Sequence, residues 1–308
     1  MLPYLLRRSI HSIGVAFAVL TFVFVAGRVI GDPVRIMVGV EASEERVQQV
    51  RDQLGLNDPI PVQYARFAAR AILLDFGDSF WQKTSSLRLV IDRLPATFRL
   101  AAAAFLLAAP IGILLGAAAA LRPQTYLDRI INVLSLGGVS MVDFWMALML
   151  IIVFAVQLRE LGWFKTSGYG GFSYMALPTL TLCLSPLGRI SQITRSAMLD
   201  EMNRPHITVA RAKGLAEGRI VFVHALKNAA IPVVTISGDM LSSMLNGAIL
   251  VETVFAWPGI GYLTLQALQR RDLPLVEATV FVVACMVIVV NLLVDLSYVY
   301  LNPRIRFQ

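Results

Sequence analysis

Charged residues are scarce in this chain. Of its 308 residues only 15% are charged, whereas 57% are hydrophobic. A soluble globular domain usually carries about 25% charged residues, so the composition indicates a chain whose solvent is largely lipid. The formal net charge is +7, but the basic residues stand at the ends of apolar runs and form no patch interleaved with aromatics. The sequence therefore indicates a lipid bilayer, and no nucleic acid, as its surroundings.

Residues that bind metals or carry redox chemistry are equally few. Cys183 and Cys285 both lie inside apolar runs, where a free cysteine behaves as a small hydrophobe. The histidines, His11, His206 and His224, have no metal-ligand spacing with them. The phosphate loop G-x-x-x-x-G-K-[ST] and the motifs H-E-x-x-H and G-x-S-x-G do not occur. We therefore predict no catalytic residue, no metal site and no cofactor bound by this chain.

The apolar runs are long enough to cross a bilayer, which takes about 20 mostly apolar residues in a helix. Acids interrupt these runs rarely, and Asp143 and Asp239 are the clearest cases. We predict an all-α integral membrane protein with six transmembrane helices. The predicted spans are 9–27, 100–121, 130–158, 174–193, 228–254 and 276–301.

Lys and Arg in the short loops predict the orientation, because they are enriched on the cytoplasmic side. With the N-terminus inside, the two short outer loops carry only four such residues, Arg159, Lys165, Arg270 and Arg271. Both termini are therefore predicted to be cytoplasmic. The Lys and Arg residues in the segments predicted to be cytoplasmic are Arg7, Arg8, Arg122, Arg129, Arg189, Arg195, Arg204, Arg211, Lys213, Arg219, Lys227, Arg304 and Arg306.

This topology divides the chain into four segments. They are an N-terminal transmembrane helix (1–30), an outer, periplasmic loop (31–93), a five-helix core (94–301) and a cytoplasmic tail (302–308). Within the outer loop, hydrophobic spacing predicts short helices over 44–54 and 62–74.

The core includes a cytoplasmic stretch, residues 195–228, which we name the coupling segment. An Ala-rich run that stops at Gly214 predicts a short helix there. Its small residues allow close approach to a groove on a soluble partner, and its cations can pair with the partner's carboxylates. The alternative is a solvated connector whose charges only set the topology. The residues by themselves leave both interpretations open.

The coupling segment resembles the EAA signature of ABC importer permeases, in which a helix docks on the ATPase. The stretch VARAKGLAEGRIVFVHALKNAAIPVV is similar to the form found in the dipeptide/oligopeptide/nickel permease family. Further stretches, spread along nearly the whole chain, resemble the same family. They are DQLGLNDPIPVQYARF, DFGDSF, DRLPATFRLA, VETVFAWPGIGYL, RRDLPLVEA and NLLVDLSYVYLNPRIR.

The resemblance implies the type I importer permease (MetI-like) fold in a bacterial inner membrane, with a helical outer loop. It further implies a second homologous permease, expected as a heterodimer partner, and two ATPase subunits that bind ATP and Mg. An extracytoplasmic solute-binding protein would deliver the solute, and transport would proceed by alternating access. The expected solute is a di- or oligopeptide, with glutathione, nickel chelates, opines and oligosaccharides as alternatives.

Site residues follow from the resemblance by position. Thr208 stands where the general signature has glutamate, so no Glu-based contact is expected there. A run that is commonly Ser-hydrophobe-Pro-small-Phe-Trp reads Ser140 to Trp145 here, with Val142 in place of proline and Asp143 in place of the small residue. The residues expected at the ATPase contact are Thr208, Val209, Ala210, Ala212, Lys213, Gly214, Leu215 and Arg219, and those expected near the outer gate are Glu252, Trp257, Pro258 and Gly259.

The polar residues inside the predicted spans suggest a solute path. An ionisable residue in mid-bilayer usually faces a cavity or a partner. Our hypothesis is that Asp143 lines the path and favours a cationic group, with Asp239 and Asn246 further along it. The alternative for Asp143 is a hydrogen-bonded acid at the contact with the partner permease. For Trp257 the alternative to gating is a turn anchored by an interfacial tryptophan.

Two other classes of protein compete with the importer permease. A proton-coupled secondary transporter could use Asp143 or Asp239 as its proton site, but it gives no reason for the Ala-Lys-Gly run in the coupling segment. An intramembrane enzyme could use His206 or His224, but both histidines fall in the coupling segment with no nucleophile arranged around them.

Overall fold

The structure is a computed structural model that describes residues 2–29, 34, 43–53, 56–158, 160, 162 and 164–301. Most of these residues are helical, and the one β-bridge among them joins Asp78 to Ser85. The predicted all-α class is therefore confirmed. The helices are α1 (Leu2–Val29), α2 (Glu44–Gln53), α3 (Ile60–Ile72), α4 (Ser86–Leu121), α5 (Tyr126–Ser140), α6 (Asp143–Leu150), α7 (Phe172–Met202), α8 (Pro205–Ala212), α9 (Leu226–Val254), α10 (Ile260–Gln269) and α11 (Leu273–Leu301).

Two π-helical stretches extend this set. Ile151–Gln157 continues α6, and Ile220–Ala225 leads into α9 after the single turn Glu217–Arg219. Single π-turns within helices are frequent at functional sites, and the second stretch lies in the coupling segment.

Among the described residues, four helical stretches are long and apolar enough to cross a membrane. They are Ile10–Gly27, Ser86–Leu121, Glu217–Leu245 and Leu273–Val294. Helices α5 and α6 add a fifth if this pair, bent by 107° at its break, counts as one span. The predicted number of six is not confirmed and stays a prediction.

Helix α7 covers the remaining predicted span, 174–193, but is more polar than the others. Its 31 residues include Arg189, two internal prolines and several buried hydroxyl residues. A helix surrounded by other helices does not need an apolar surface on all sides, because lipid does not contact it. Helix α7 packs extensively on α5 and α9. Its polarity is therefore consistent with a place inside a bundle.

Glycines bring α4 and α5 close to α7. A Cβ atom on Gly112 would lie 2.9 Å from the Leu187 carbonyl oxygen, and one on Gly188 would collide with the Ser135 carbonyl. A Cβ atom on Gly116, four residues after Gly112, would collide with the Ser191 carbonyl oxygen, so this G-x-x-x-G spacing marks a close contact between α4 and α7.

The chain forms two compact units. Unit 1 comprises residues 1–95 and 259–289, and unit 2 comprises residues 96–258 and 290–308. These units group residues by contact and not by side of the membrane, so the predicted topological division stays a prediction, and its tail (302–308) lies outside the described residues. The buried core of unit 1 consists of Leu20, Ala71, Phe76, Val90, Ile260, Leu263, Ala267, Leu275 and Ala278.

A buried carboxylate organises the loops of unit 1. Asp272 is 0% exposed and accepts hydrogen bonds from the Ser79 hydroxyl at 2.5 Å and from the N–H groups of Phe80 and Trp81 at 3.1 Å. The Arg270 guanidinium stacks 3.8 Å from the centre of the Trp81 ring. The DFGDSF and RRDLPLVEA motifs, which lie far apart in the sequence, thus bind each other.

Candidate functional site

Helix α8 of the coupling segment is anchored by one face. It begins at Pro205, a residue favoured at the first helical position because its missing N–H costs nothing there. Ile207 and Ala210, one turn apart, are 0% and 9% exposed. They pack in a cluster of mostly small residues from α4, α7, α8, α9 and the π-helical stretch. Its members are Ala117, Ala120, Met198, Ile207, Ala210, Ile220, Val221, Ala225 and Ala229.

The end of α8 is a Schellman motif built on Gly214. Gly214 has φ +74°, a left-handed conformation that residues with a Cβ atom adopt at a cost. The Leu215 N–H donates to the Ala210 carbonyl at 3.3 Å, and the Gly214 N–H donates to the Arg211 carbonyl at 2.9 Å. Leu215 also packs against the cluster that contains Ala210, a hydrophobic contact that frequently accompanies this motif. The predicted helix end at Gly214 is confirmed.

A buried glutamate fixes the start of α8. Glu201, at the end of α7, is 6% exposed. Its carboxylate lies 3.0 Å from Arg204 Nε and 3.1 Å from His206 Nε2, and it accepts a hydrogen bond from Asn228 Nδ2 at 2.9 Å. Three helices therefore meet at one side chain. Sequence reasoning missed Glu201, because nothing local distinguishes it from its exposed neighbour Asp200.

The opposite face of α8 and the following turn are exposed. Arg211 is held by Glu217 at 2.7 Å, whereas Lys213 and Arg219 have no ion-pair partner in the part of the chain that the structure describes. The exposed surface of the segment thus includes small residues and cations, two of which, Lys213 and Arg219, form no ion pair among the described residues. Of the expected ATPase-contact residues, the exposed ones are Thr208, Val209, Ala212, Lys213, Gly214 and Arg219, whereas Ala210 is buried and Leu215 half-buried.

A charged clamp joins α5 to α7 at the first residue of the coupling segment. Arg195 binds Asp128 through two parallel hydrogen bonds, Nε to Oδ1 at 2.6 Å and a terminal nitrogen to Oδ2 at 2.7 Å. The Gln124 N–H and Asn132 Nδ2 also donate to Asp128, which is 3% exposed. Sequence reasoning missed this pair. The Thr125-x-x-Asp128 spacing signals the start of a helix, but no local pattern identifies Arg195 as the partner.

Asp143 lies at the sharp bend between α5 and α6. It is the first residue of α6 and is half-buried. A Cβ atom on Gly247 of α9 would lie 3.3 Å from Asp143 Oδ2, so the carboxylate contacts α9 where that helix has no side chain. The first turn of a helix favours an acid through its dipole. The contact with α9 and the favourable dipole at the first turn of α6 together account for the position of Asp143. No described residue forms an ion pair with it.

The exposed face of α9 carries a polar stripe. Thr235, Asp239 and Ser243 follow one another at four-residue spacing and are exposed. A polar stripe on a membrane-spanning helix is costly against lipid, so this face suits a water-filled path or another chain. The side chains of Asn246 and Asp295 lie outside the described part of the structure. On the buried side of α9, Ser242 donates to Asn291 of α11 at 2.7 Å.

The residues expected near an outer gate are largely buried. Trp257 is 1% exposed, donates from Nε1 to the Ala96 carbonyl at 2.9 Å and packs on Tyr169, with ring centres 5.0 Å apart. Glu252 is 0% exposed and accepts from the Thr97 hydroxyl at 2.7 Å. Trp257 is therefore a core residue of unit 2, not an exposed anchor at the interface. The other two expected residues are Pro258, which is half-buried, and Gly259, which is buried and precedes α10.

The sequence matches two related family descriptions. Residues 112–307 match the binding-protein-dependent transport system inner membrane component, and residues 1–101 match the N-terminal membrane component of such systems. The chain belongs to this family of transport permeases. The family is an inner-membrane family of transport subunits, which agrees with the several apolar helices of this permease.

Full-length relatives carry transport names. One is the probable peptide ABC transporter permease protein of Sinorhizobium fredii, 35% identical over 99% of both chains. Another is the di/tripeptide transport system permease protein DppB of Pseudomonas aeruginosa, 36% identical over 100% of both. A third is the glutathione transport system permease protein GsiC of Salmonella paratyphi A, 34% identical over 100% of both. The resemblance to dipeptide/oligopeptide-type permeases is confirmed.

The two histidines that an intramembrane enzyme could use both lie in the coupling segment. His206 belongs to the Glu201 network at the start of α8, and His224 is half-buried in the π-helical stretch. Among the described residues, no group of three or more His, Cys, Asp or Glu side chains could hold a metal ion.

Proposed function

We propose that this permease forms one half of the translocation path of an ATP-driven importer, with α8 as the helix that docks on an ATPase subunit. The main evidence is that one face of α8 is buried and the opposite face is exposed. Ile207 and Ala210 are buried in the chain's own core, while Lys213 and Arg219 are exposed and form no ion pair with any residue that the structure describes. A helix held firmly on one side can transmit a push from a partner on the other side to α7 and α9.

The proposed assembly contains two ATPase subunits, which bind ATP and Mg, because this chain has no phosphate-loop sequence. A second, different permease completes the path, and an extracytoplasmic solute-binding protein delivers the solute. Closure of the ATPases would draw the two docking helices together and open the path outward, as in other two-state domain closures. The distribution of Lys and Arg supports cytoplasmic termini in a bacterial inner membrane.

The proposed solute is a small peptide. Relatives that match over the full length are named for peptide and di/tripeptide transport, and one is named for glutathione, itself a peptide derivative. Glutathione is therefore the alternative with support among the relatives. Nickel chelates, opines and oligosaccharides remain alternatives from the family resemblance.

The test of this function is purification of the detergent-solubilised permease from its native membrane, with mass spectrometry of the proteins that accompany it. With the wild-type chain we expect to recover an ATPase and a second permease. With Lys213→Glu we expect to lose the ATPase, because the reversed charge would repel the carboxylates of the ATPase with which we expect Lys213 to pair. Arg122→Glu, another exposed cation on the predicted cytoplasmic side, serves as the matched control and should retain the ATPase.

Recovery of the permease without an ATPase, under conditions that preserve a known ABC complex, would contradict the proposal and favour the proton-coupled alternative. If a binding protein also accompanies the complex, the ligand that it retains identifies the solute. A retained peptide or glutathione would distinguish the two leading candidates directly.

Asp143 is expected to favour solutes with a positive charge. Replacing Asp143 by asparagine keeps the shape and the hydrogen-bonding groups at the start of α6 but removes the charge. A hydrogen bond to a charged group contributes about 1.5–3 kcal/mol, so the preference for a free dipeptide over its N-acetylated form should fall about tenfold in uptake assays. Asp200→Asn, which removes an exposed acid outside the expected path, is the control and should leave the preference unchanged. An unchanged preference in Asp143→Asn at wild-type protein level would assign Asp143 to the contact between permeases.

A further inference from the structure

The outer loop contains two helices of opposite character. Helix α2 is polar, with Glu44, Glu45 and Gln48 exposed and only Val47 buried among its described side chains. Helix α3, by contrast, consists mainly of alanine, aliphatic and aromatic residues. Of these two helices, only α2 has the polar composition of a helix that lies in water.

Helix α3 crosses α1 within the apolar stretch of α1. The Tyr64 hydroxyl lies 2.8 Å from the Thr21 hydroxyl. The Tyr64 ring packs edge-on against Phe17 and Phe24, with ring centres 6.0 and 5.1 Å apart. Phe67 lies one turn further and packs on Phe24 at 5.6 Å. The contacts on α1 therefore fall on residues 17, 21 and 24, which share one helical face.

These contacts define the depth of α3. The apolar stretch of α1 is Ile10–Gly27, and Thr21 precedes its outer end by six residues. At the α-helical rise, this separation corresponds to about 9 Å along the helix axis. Amphipathic helices that lie in a membrane interface insert about 5–10 Å into the headgroup and acyl boundary. A helix that touches Thr21 thus lies at the depth of an interfacial helix.

The surface of α3 that faces away from the core is an apolar stripe. Val62, Ala65, Ala69 and Ile72 follow helical spacing and are all exposed, Ile72 to 75%. Leu73, directly after the helix, is 79% exposed. On the opposite side, Ala71 is buried and Phe67 packs on the core of unit 1. Helix α3 therefore has more apolar side chains than it buries against the core of unit 1.

Paired charges flank the stripe. Arg66 binds Asp58 at 2.8 Å, and Arg70 binds Asp75 at 3.1 Å. The hydrogen bond from Arg70, aided by the Gly77 N–H, holds the pKa of the Asp75 carboxyl below its ordinary value, so the pair stays ionised at neutral pH. Arginines beside an apolar face can extend to the headgroup layer while their stems cover apolar surface.

We propose that α3 lies in the outer membrane–water interface, with the stripe Val62, Ala65, Ala69 and Ile72 in contact with lipid acyl chains. Lipid is favoured over a protein partner because α3, which carries the stripe, packs on α1, and α1 also has exposed apolar side chains. Ile13 and Phe22 of α1 are each 69% exposed. The stripe of α3 and the exposed apolar side chains of α1 belong to the same unit, so lipid can cover both. The proposal depends on α1 spanning the membrane and is independent of the solute.

The test uses nitroxide labels on single cysteines in the full chain, purified with its partners and reconstituted in vesicles of phosphatidylethanolamine and phosphatidylglycerol. Cys183 and Cys285 are replaced by alanine, and the labels are placed at Ala65 and at Ile72. Phe22 in α1 provides the lipid-exposed control, and Gln48 in α2 provides the water-exposed control. All four positions are exposed, so the label displaces no core residue.

We expect the ratio of collision rates with oxygen and with a water-soluble nickel chelate to be severalfold higher at 65 and 72 than at 48, and similar to the ratio at 22. A low ratio at 65 and 72, equal to that at 48, would show that α3 is in water and would overturn the proposal. Low collision rates with both reagents would show that another protein chain covers the stripe, which overturns it equally.

Discussion

Arg195→Ala is expected to destabilise this permease by about 3 kcal/mol, because removal of one partner from a buried ion pair leaves the other charge uncompensated. Asp128 is 3% exposed, and Arg195 provides two of its hydrogen bonds. The Gln124 N–H and Asn132 remain, so the lower end of the usual range applies. The measurement is thermal inactivation of the detergent-solubilised chain, followed by loss of the monodisperse species.

The matched control is Arg189→Ala, which removes an exposed arginine from the same helix and should have little effect. The double variant Arg195→Ala with Asp128→Asn should be more stable than Arg195→Ala, because asparagine carries no charge that needs compensation. If Arg195→Ala and Arg189→Ala lost stability equally, the clamp would contribute nothing measurable, and the connection between α5 and α7 would rest on packing alone.

Glu201→Ala is expected to lower solute uptake about tenfold or more while leaving the permease in the membrane. The Glu201 carboxylate binds Arg204, His206 and Asn228 and so fixes α8 relative to α7 and α9. Hydrogen bonds to a charged group contribute about 1.5–3 kcal/mol each. Loss of one such bond would lower the equilibrium constant for the docking position of α8 about tenfold, and loss of all three would lower it further. The apparent affinity for the ATPase falls as the fraction of α8 in that position falls.

Asp200→Ala tests whether the effect belongs to the network. Asp200 is the exposed neighbour of Glu201 on α7, and its loss should leave uptake near the wild-type rate. The measurement combines uptake in cells with the amount of ATPase that copurifies with the permease. Normal ATPase recovery and normal uptake in Glu201→Ala would show that the buried cluster around Ile207 positions α8 without the glutamate.

Some features of the coupling segment were predictable because their causes are local. The helix end at Gly214 needs only a left-handed residue and bonds that reach back to Ala210 and Arg211. The start at Pro205 likewise depends on the residue at the first helical position. The exposed and buried faces were not predictable, because Ala210 and Ala212 are identical side chains and only the surrounding helices make one buried.

The spans show where hydropathy is a sufficient signal and where it is not. Helices that meet lipid must be apolar, so α1, α4 and α11 were recognisable in the sequence. Helix α7 contacts other helices instead, and there small and hydroxyl side chains serve better than long apolar ones. Its number of charged and polar residues therefore says little about whether it crosses the membrane.

Composition and local motifs by themselves determined the all-α class, the family and the end of α8, because these depend on residues within a few positions of one another. The tertiary structure alone decided the partners of the buried charges. Arg195 and Asp128 are 67 positions apart, Asn228 and Glu201 are 27 apart, and Ser79 and Asp272 are 193 apart. No periodic pattern relates such residues, because each pair forms only after separate helices have packed.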